Sequence, residues 1–210
     1  MKKSVIIFAC FIFNIVYLPC LKARNNNDST KVISILFVGN SLTYTNNLPE
    51  LVRIQAEKKG VLIKTEMIAK PNYALEDHWN NGVIQKNISS GHFDYVVIQQ
   101  GPSSQSDGRN MLFEYGNKIN LICDSTRTKL AFFMVWPSVQ NWYTFLGVIK
   151  NYSDAADSMN AILCPVGVVW KETMELNKDY SFYGQDFFHP SKKGSELAAK
   201  VIVQYLFFEK

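Results

Sequence analysis

Cysteine is scarce in this chain, four residues among 210, and two of the four, Cys10 and Cys20, lie in an apolar N-terminal run. A scaffold stapled by several disulfides is therefore excluded. Cys123 and Cys164 sit inside the apolar stretches NLICD and AILCP, where two buried thiols and one disulfide are both open readings. There is no CxxC pair and no His/Cys cluster, and with 3 histidines in all a structural metal is not expected. Internal repeats, low-complexity tracts and interdomain linkers are missing too, so neither a solenoid nor a string of small domains is encoded.

A strong charge of one sign is also lacking. Lys2 and Lys3 precede an apolar run from Val5 to Cys20 that only Asn14 breaks, and the polar KARNNNDST follows. A basic start, an apolar core shorter than a membrane span and a polar exit form the layout of a secretory signal peptide. Cleavage is expected near Ala23, giving a leader of residues 1–23, a polar linker of 24–31 and a globular domain of 32–210. An uncleaved anchor is the alternative; a lipoprotein site at Cys20 is disfavoured by the bulky Tyr17-Leu18-Pro19 before it. Loss of the leader removes three lysines and no acid, which lowers the formal +4 to +1. Nucleic-acid binding needs a concentrated basic face, so none is expected. The mature form is expected to be exported, periplasmic or extracellular, with no membrane span.

What is present beyond residue 31 is alternation. The runs Val32–Val38, Val61–Ile68, Tyr95–Ile98, Leu130–Val135 and Pro165–Val169 are short and rich in β-branched and aromatic residues. Four of the five are nearly continuous in apolar character, as strands buried on both faces are. Leu48, Leu51, Val52 and Ala56 follow helical spacing, with Pro49 in the first turn and Gly60 past the end. Leu75–Ile88, Asn110–Thr126 and Leu146–Leu163 read as further helices, and Leu197 to Leu206 carries a final amphipathic stripe. Strands alternating with helices predict an α/β fold, one parallel sheet covered on both faces.

Right-handed crossovers put ligands beyond the carboxyl ends of such strands. After the first strand comes GNSLTYTNNLP, with Ser41 in the turn into the first helix. Turn and capping chemistry alone accounts for Gly39-Asn40-Ser41; the functional reading makes Ser41 an exposed nucleophile in need of a base. DFFHPS, just ahead of the last helix, holds Asp186 and His189 three residues apart. That spacing lets the carboxylate hold one ring nitrogen and leaves the other for a hydroxyl. Pro190 disfavours a helical His189, and Ser191 is a good cap for the helix that follows.

The blocks FVGNSLTY and DFFHPS, in this order at the two ends of the domain, resemble those of the SGNH hydrolases, also called GDSL-type esterases and lipases, in a divergent branch. The resemblance spans about residues 32 to 208. It implies a flavodoxin-like, three-layer α/β/α fold with five parallel strands, and ester hydrolysis with Ser41 as nucleophile, His189 as base and Asp186 as its orienter. Neither a metal nor an organic cofactor is implied. The middle blocks depart from the family pattern. Where a glycine N–H normally joins the oxyanion hole, AKPNYALEDHW places Asn72, whose backbone donor serves equally and which tolerates positive φ. Where an asparagine side chain normally donates, IQQGPSSQ offers Ser103 in the aligned place and Gln100 nearby. The expected hole is thus Ser41, Asn72 and either Gln100 or Ser103, with Gln100 the longer reach.

His78, Trp79 and Trp136 are candidates for a substrate pocket, each with core packing as its alternative. The function expected is a secreted serine esterase acting on a small-molecule or carbohydrate ester, with O-acetyl sugars as one substrate class. A non-catalytic ligand-binding descendant and an O-acyltransferase using the same triad are the rival readings.

Overall fold

Short apolar runs buried on both faces form the middle of a parallel sheet. The computed structural model describes residues 31–209; the expected leader 1–23, with Cys10 and Cys20, and all of the expected linker but Lys31 lie outside the described residues. The strands are β1 (Ile33–Gly39), β2 (Ile63–Ala69), β3 (Tyr95–Ile98), β4 (Lys129–Phe133) and β5 (Ile162–Cys164). They form one sheet in the order β2-β1-β3-β4-β5, and every pair is parallel. This is the flavodoxin-like order, which changes direction beside β1 and places the binding crevice there. In β1 every residue from Ser34 to Gly39 is buried, whereas β2, at an edge, keeps exposed Lys64, Glu66 and Met67.

The helices are α1 (Ser41–Tyr44), α2 (Leu48–Lys58), α3 (Leu75–Asn81), α4 (Val83–Ser89), α5 (Ser106–Thr126), α6 (Phe145–Ser158), α7 (Val166–Asn177) and α8 (Lys192–Phe207). One group packs α2 on α8 and α8 on α7; the other joins α3, α4, α5 and α6. With the sheet between them the chain has the expected three-layer α/β/α fold. Ser191 caps α8 by accepting the Gly194 N–H, and Pro49 stands in the first turn of α2, as their sequence positions predict. Cys123 and Cys164 are free and buried. Burial pushes both thiols up to about 12.

Three boundaries differ from the sequence expectation. The fifth strand is Ile162–Cys164, and Pro165 to Val169 opens α7 instead. Val166, Gly167, Trp170 and Met174 are its buried residues, a helical spacing that a five-residue apolar window cannot distinguish from a strand. Gly167 is needed there because a Cβ would lie 2.3 Å from the Val135 carbonyl oxygen. The helix expected over Leu146–Leu163 accordingly ends at Ser158. The single helix expected over Leu75–Ile88 is two, broken at Gly82, whose φ of 78° is left-handed and stops α3 in the usual manner of a C-terminal glycine.

Candidate active site

The turn after β1 is stitched down from three sides. Asn40 caps α1, its side-chain oxygen accepting the Leu42 N–H at 3.2 Å while its amide donates to the Tyr73 carbonyl at 3.0 Å. An aspartate in that place would lack the second bond, since an ionised carboxylate only accepts. Gln99, at the end of β3, accepts the Asn40 N–H and the Thr43 hydroxyl, each at 2.9 Å. His78 reaches the Gly39 carbonyl at 2.8 Å through Nε2. Gly39 itself admits no side chain, because a Cβ would fall 2.3 Å from Thr43 Oγ1 and 2.5 Å from Gln99 Oε1. Ser41 is half-buried at the first position of α1. Among the described residues neither its hydroxyl nor its N–H has a hydrogen-bond partner.

The Asp186–His189 loop is closed on itself. Tyr183 bridges to Pro190, the Gly184 N–H donates to the His189 carbonyl at 2.7 Å, and the Ser191 N–H to the Phe182 carbonyl at 2.8 Å. Inside it, one Asp186 oxygen accepts the N–H groups of Phe188 and His189 at 3.0 and 2.9 Å, and the other meets His189 Nδ1 at 2.5 Å. The bond to His189 and these two N–H donors hold the Asp186 carboxyl below its ordinary range, against a smaller upward pull from burial. Phe187 turns the chain through a left-handed φ of 55°, a conformation costing about 1–2 kcal/mol for a bulky residue. Three anchors tie the loop to the segment after β4: Trp136 Nε1 donates to the Phe188 carbonyl at 3.1 Å, the Tyr183 hydroxyl to the Pro137 carbonyl at 2.7 Å, and the Val139 N–H to the Phe187 carbonyl at 3.0 Å. His189 Nε2 has no hydrogen-bond partner among the described residues, the nitrogen a base would use.

The expected oxyanion residues divide. Asn72 has φ 60°, and its N–H, like that of Ser41, lacks a partner among the described residues. The two side-chain candidates are occupied. Gln100 is buried, its oxygen accepting the Leu75 N–H at 2.8 Å and its amide directed to Met111 Sδ at 3.2 Å. The Ser103 hydroxyl donates to the Gly101 carbonyl at 2.9 Å, and its Cβ lies against Gly108 of α5. The alternation that sends Gln99 and Gln100 to opposite faces takes Gln99 to the turn after β1 and Gln100 to the start of α3.

No protein-family model and no curated protein matches the sequence, but solved structures do. A protein from Slackia heliotrinireducens classed with the SGNH hydrolases superposes with a TM-score of 0.70 at 21% identity, covering 84% of this chain and all of that one. The lipase/acylhydrolase from Enterococcus faecalis gives 0.66 at 17% identity, over 82% and 94% of the two chains. An acetyl xylan esterase, AlAXEase, gives 0.67 at 13%, over 81% and 98%. The chain has the SGNH-hydrolase fold.

The expected pocket residues are corrected by their burial. Trp136 is fully buried, stacked on Trp170 with ring centroids 3.6 Å apart, so it supports the histidine loop and lines nothing. His78 is 2% exposed. Trp79 is partly buried against the core, with Lys118 Nζ 5.8 Å from its ring. The open space at this edge of the SGNH fold is a groove of about 510 Å³ beside Phe188, bordered by Ser104, Gln105, Ser138, Asn141 and Tyr143. Its polar residues follow β3 and β4, in stretches legible only as loop composition, and Tyr143 is 82% exposed. Among the described residues no group of three or more His, Cys, Asp or Glu side chains is placed to hold a metal ion, and no helix is long and apolar enough to cross a membrane.

Burial, opposed by the bond to Gly39, holds the His78 imidazole below its ordinary value. The folded chain then binds fewer protons here than the unfolded chain. Stability from this group is whole above the free-imidazole pKa of about 6.5 and is lost as the pH falls from there toward the lower folded value. The urea midpoint is expected to drop between pH 7 and pH 5.5, and to drop less in His78→Gln, whose amide can still donate to Gly39. Parallel losses in the two proteins would assign the acid sensitivity elsewhere.

Proposed function

We propose that the protein is a serine esterase that hydrolyses esters of short acyl groups, with Ser41, His189 and Asp186 as its triad. One observation carries the reading: the strand-end turn presents a serine whose hydroxyl and N–H are both unengaged, on the sheet edge that also receives a preassembled carboxylate–imidazole pair. His189 Nε2 takes the hydroxyl proton as Ser41 attacks the ester carbonyl, and Asp186 holds the ring and the cation that forms. The negative oxygen of the tetrahedral intermediate is held by the N–H groups of Ser41 and Asn72. Gln100 and Ser103 serve as braces for the second and third blocks, because their polar atoms already have partners. The leaving alcohol takes the proton back from His189, and water then releases the acyl group by the same route in reverse.

The groove beside Phe188 supports an uncharged, polyhydroxylated alcohol part. Its border combines hydroxyls and amides with Pro102, Pro137 and two aromatics, Tyr143 and Phe188, and holds no charged side chain, a lining suited to sugars and ill suited to a phosphate. O-acetyl groups on carbohydrates are therefore the preferred substrate, in keeping with an acetyl xylan esterase among proteins of the same fold. The leader-like N-terminus supports an exported site of action. The test is a panel of p-nitrophenyl acetate, p-nitrophenyl palmitate and acetylated xylo-oligosaccharides, with and without an added acceptor alcohol. Acetate release from the first and third substrates is expected. Absence of turnover across the panel sinks the esterase reading, and preferential transfer to the alcohol replaces it with an acyltransferase.

A further inference from the structure

The nucleophile and the base lie at opposite ends of the domain, and a single side chain spans them. Asn46 and Asn47, between α1 and α2, both adopt left-handed φ values, 56° and 52°, which most side chains resist and asparagine tolerates. This reversal turns the Asn46 amide toward the last block, where it donates to the Pro190 carbonyl at 3.1 Å and to the Ser195 hydroxyl at 2.9 Å. Pro190 follows the base directly; Ser195, in the first turns of α8, is 1% exposed. Among the described residues these are the only hydrogen bonds between segment 40–47 and segment 182–195.

We propose that Asn46 is a positioning residue that sets the approach of His189 to Ser41. The inference rests on the triad reading above. The coarse docking of the two ends does not need it, because α2 packs along α8 and the strands are paired independently. The bonds from Trp136, Tyr183 and Val139 hold the loop to the segment after β4; Asn46 holds it from the β1 side, next to the base, and so bears on the distance between His189 and Ser41. Misplacement of reacting groups by about 1 Å costs on the order of 10²-fold in rate, and one bifurcated clamp beside the base is well placed to prevent it.

The experiment uses the full chain and p-nitrophenyl acetate. Asn46→Gly keeps the left-handed backbone without strain and removes the clamp; Asn46→Asp keeps the shape and turns a donor into an acceptor facing the Pro190 carbonyl. Each is expected to lower kcat about 10- to 100-fold with KM little changed, and to lower the urea midpoint modestly, because the buried Ser195 hydroxyl loses its donor. In a His189→Ala background neither change should lower the residual rate further, since a residue acting through His189 has nothing left to position. Retention of parental kcat by Asn46→Gly overturns the proposal, and so does an equal loss in the His189→Ala background, which marks a structural role. Should Asn46→Gly fail to fold, Ser195→Ala, which removes one acceptor and leaves the loop backbone alone, carries the same comparison. If His189→Ala itself hydrolyses the ester at the parental rate, the triad reading fails and the positioning role falls with it.

Discussion

Ser41→Ala is expected to lower ester turnover by about 10³-fold or more while leaving the fold as stable as the parent. The kinetic half follows from the chemistry. Without the hydroxyl no acyl-enzyme forms, and what remains is the rate that binding and the backbone donors give to direct attack by water. The stability half follows from the structure. The Ser41 hydroxyl has no hydrogen-bond partner among the described residues, so its removal orphans no buried group, and alanine is at home in a first helical turn. Asn40, Thr43 and Gln99, which do hold the turn, are untouched. The measurement pairs kcat on p-nitrophenyl acetate with the urea midpoint. A variant with near-parental turnover makes Ser41 a turn residue and nothing more; a variant that loses both activity and stability assigns it to the scaffold.

Trp136→Ala is expected to cost about 3–5 kcal/mol of folding free energy, the range for deleting a fully buried aromatic. The indole is fully buried and stacked on Trp170 at an interplanar angle of 9°, so the truncation opens a cavity under the histidine loop. Trp136→Phe separates the two jobs of the side chain. It restores much of the packing but not the N–H donated to the Phe188 carbonyl, so its kcat should fall by more than its modest loss of stability accounts for. Chemical unfolding and steady-state kinetics on the two variants read these effects. An unchanged urea midpoint for Trp136→Ala would refute the packing account.

Trp136 also marks where the sequence stops being legible. A tryptophan after a strand end was readable as a pocket wall or as packing, and the choice turned on Trp170, which local pattern places in no relation to it. The sheet was legible because β1, β3 and β4 announce themselves as apolar runs between turn residues, with β2 a more polar run at the edge; β5 was not, because a three-residue strand beside a helix with Val166 and Trp170 on its buried face leaves no period-two signal. The Asp186–His189 hydrogen bond was readable from a three-residue spacing, since it is local. Length and place make Gln100, beside Ser103, a candidate donor, and the partners that engage it, Leu75 and Met111, come from two other segments. The roles of Asn40, Gln99 and Asn46 were invisible for the same reason. Amide side chains can bond in many directions, and only the assembled fold selects among them.

The histidine loop satisfies its carboxylate entirely from within: two backbone N–H groups and the imidazole, all within three residues of Asp186. Such contacts have low sequence separation and form readily in a partly folded chain. On the triad proposed above, the meeting of this pair with Ser41 is the opposite kind of event, since the serine turn follows the first strand and the histidine precedes the last helix. During synthesis the serine emerges early and can be pinned by Gln99 while the rest of the chain is still being made. Competence for hydrolysis would then wait for the docking of α8 beside α2, and a chain stalled before that step would carry the serine turn without its base.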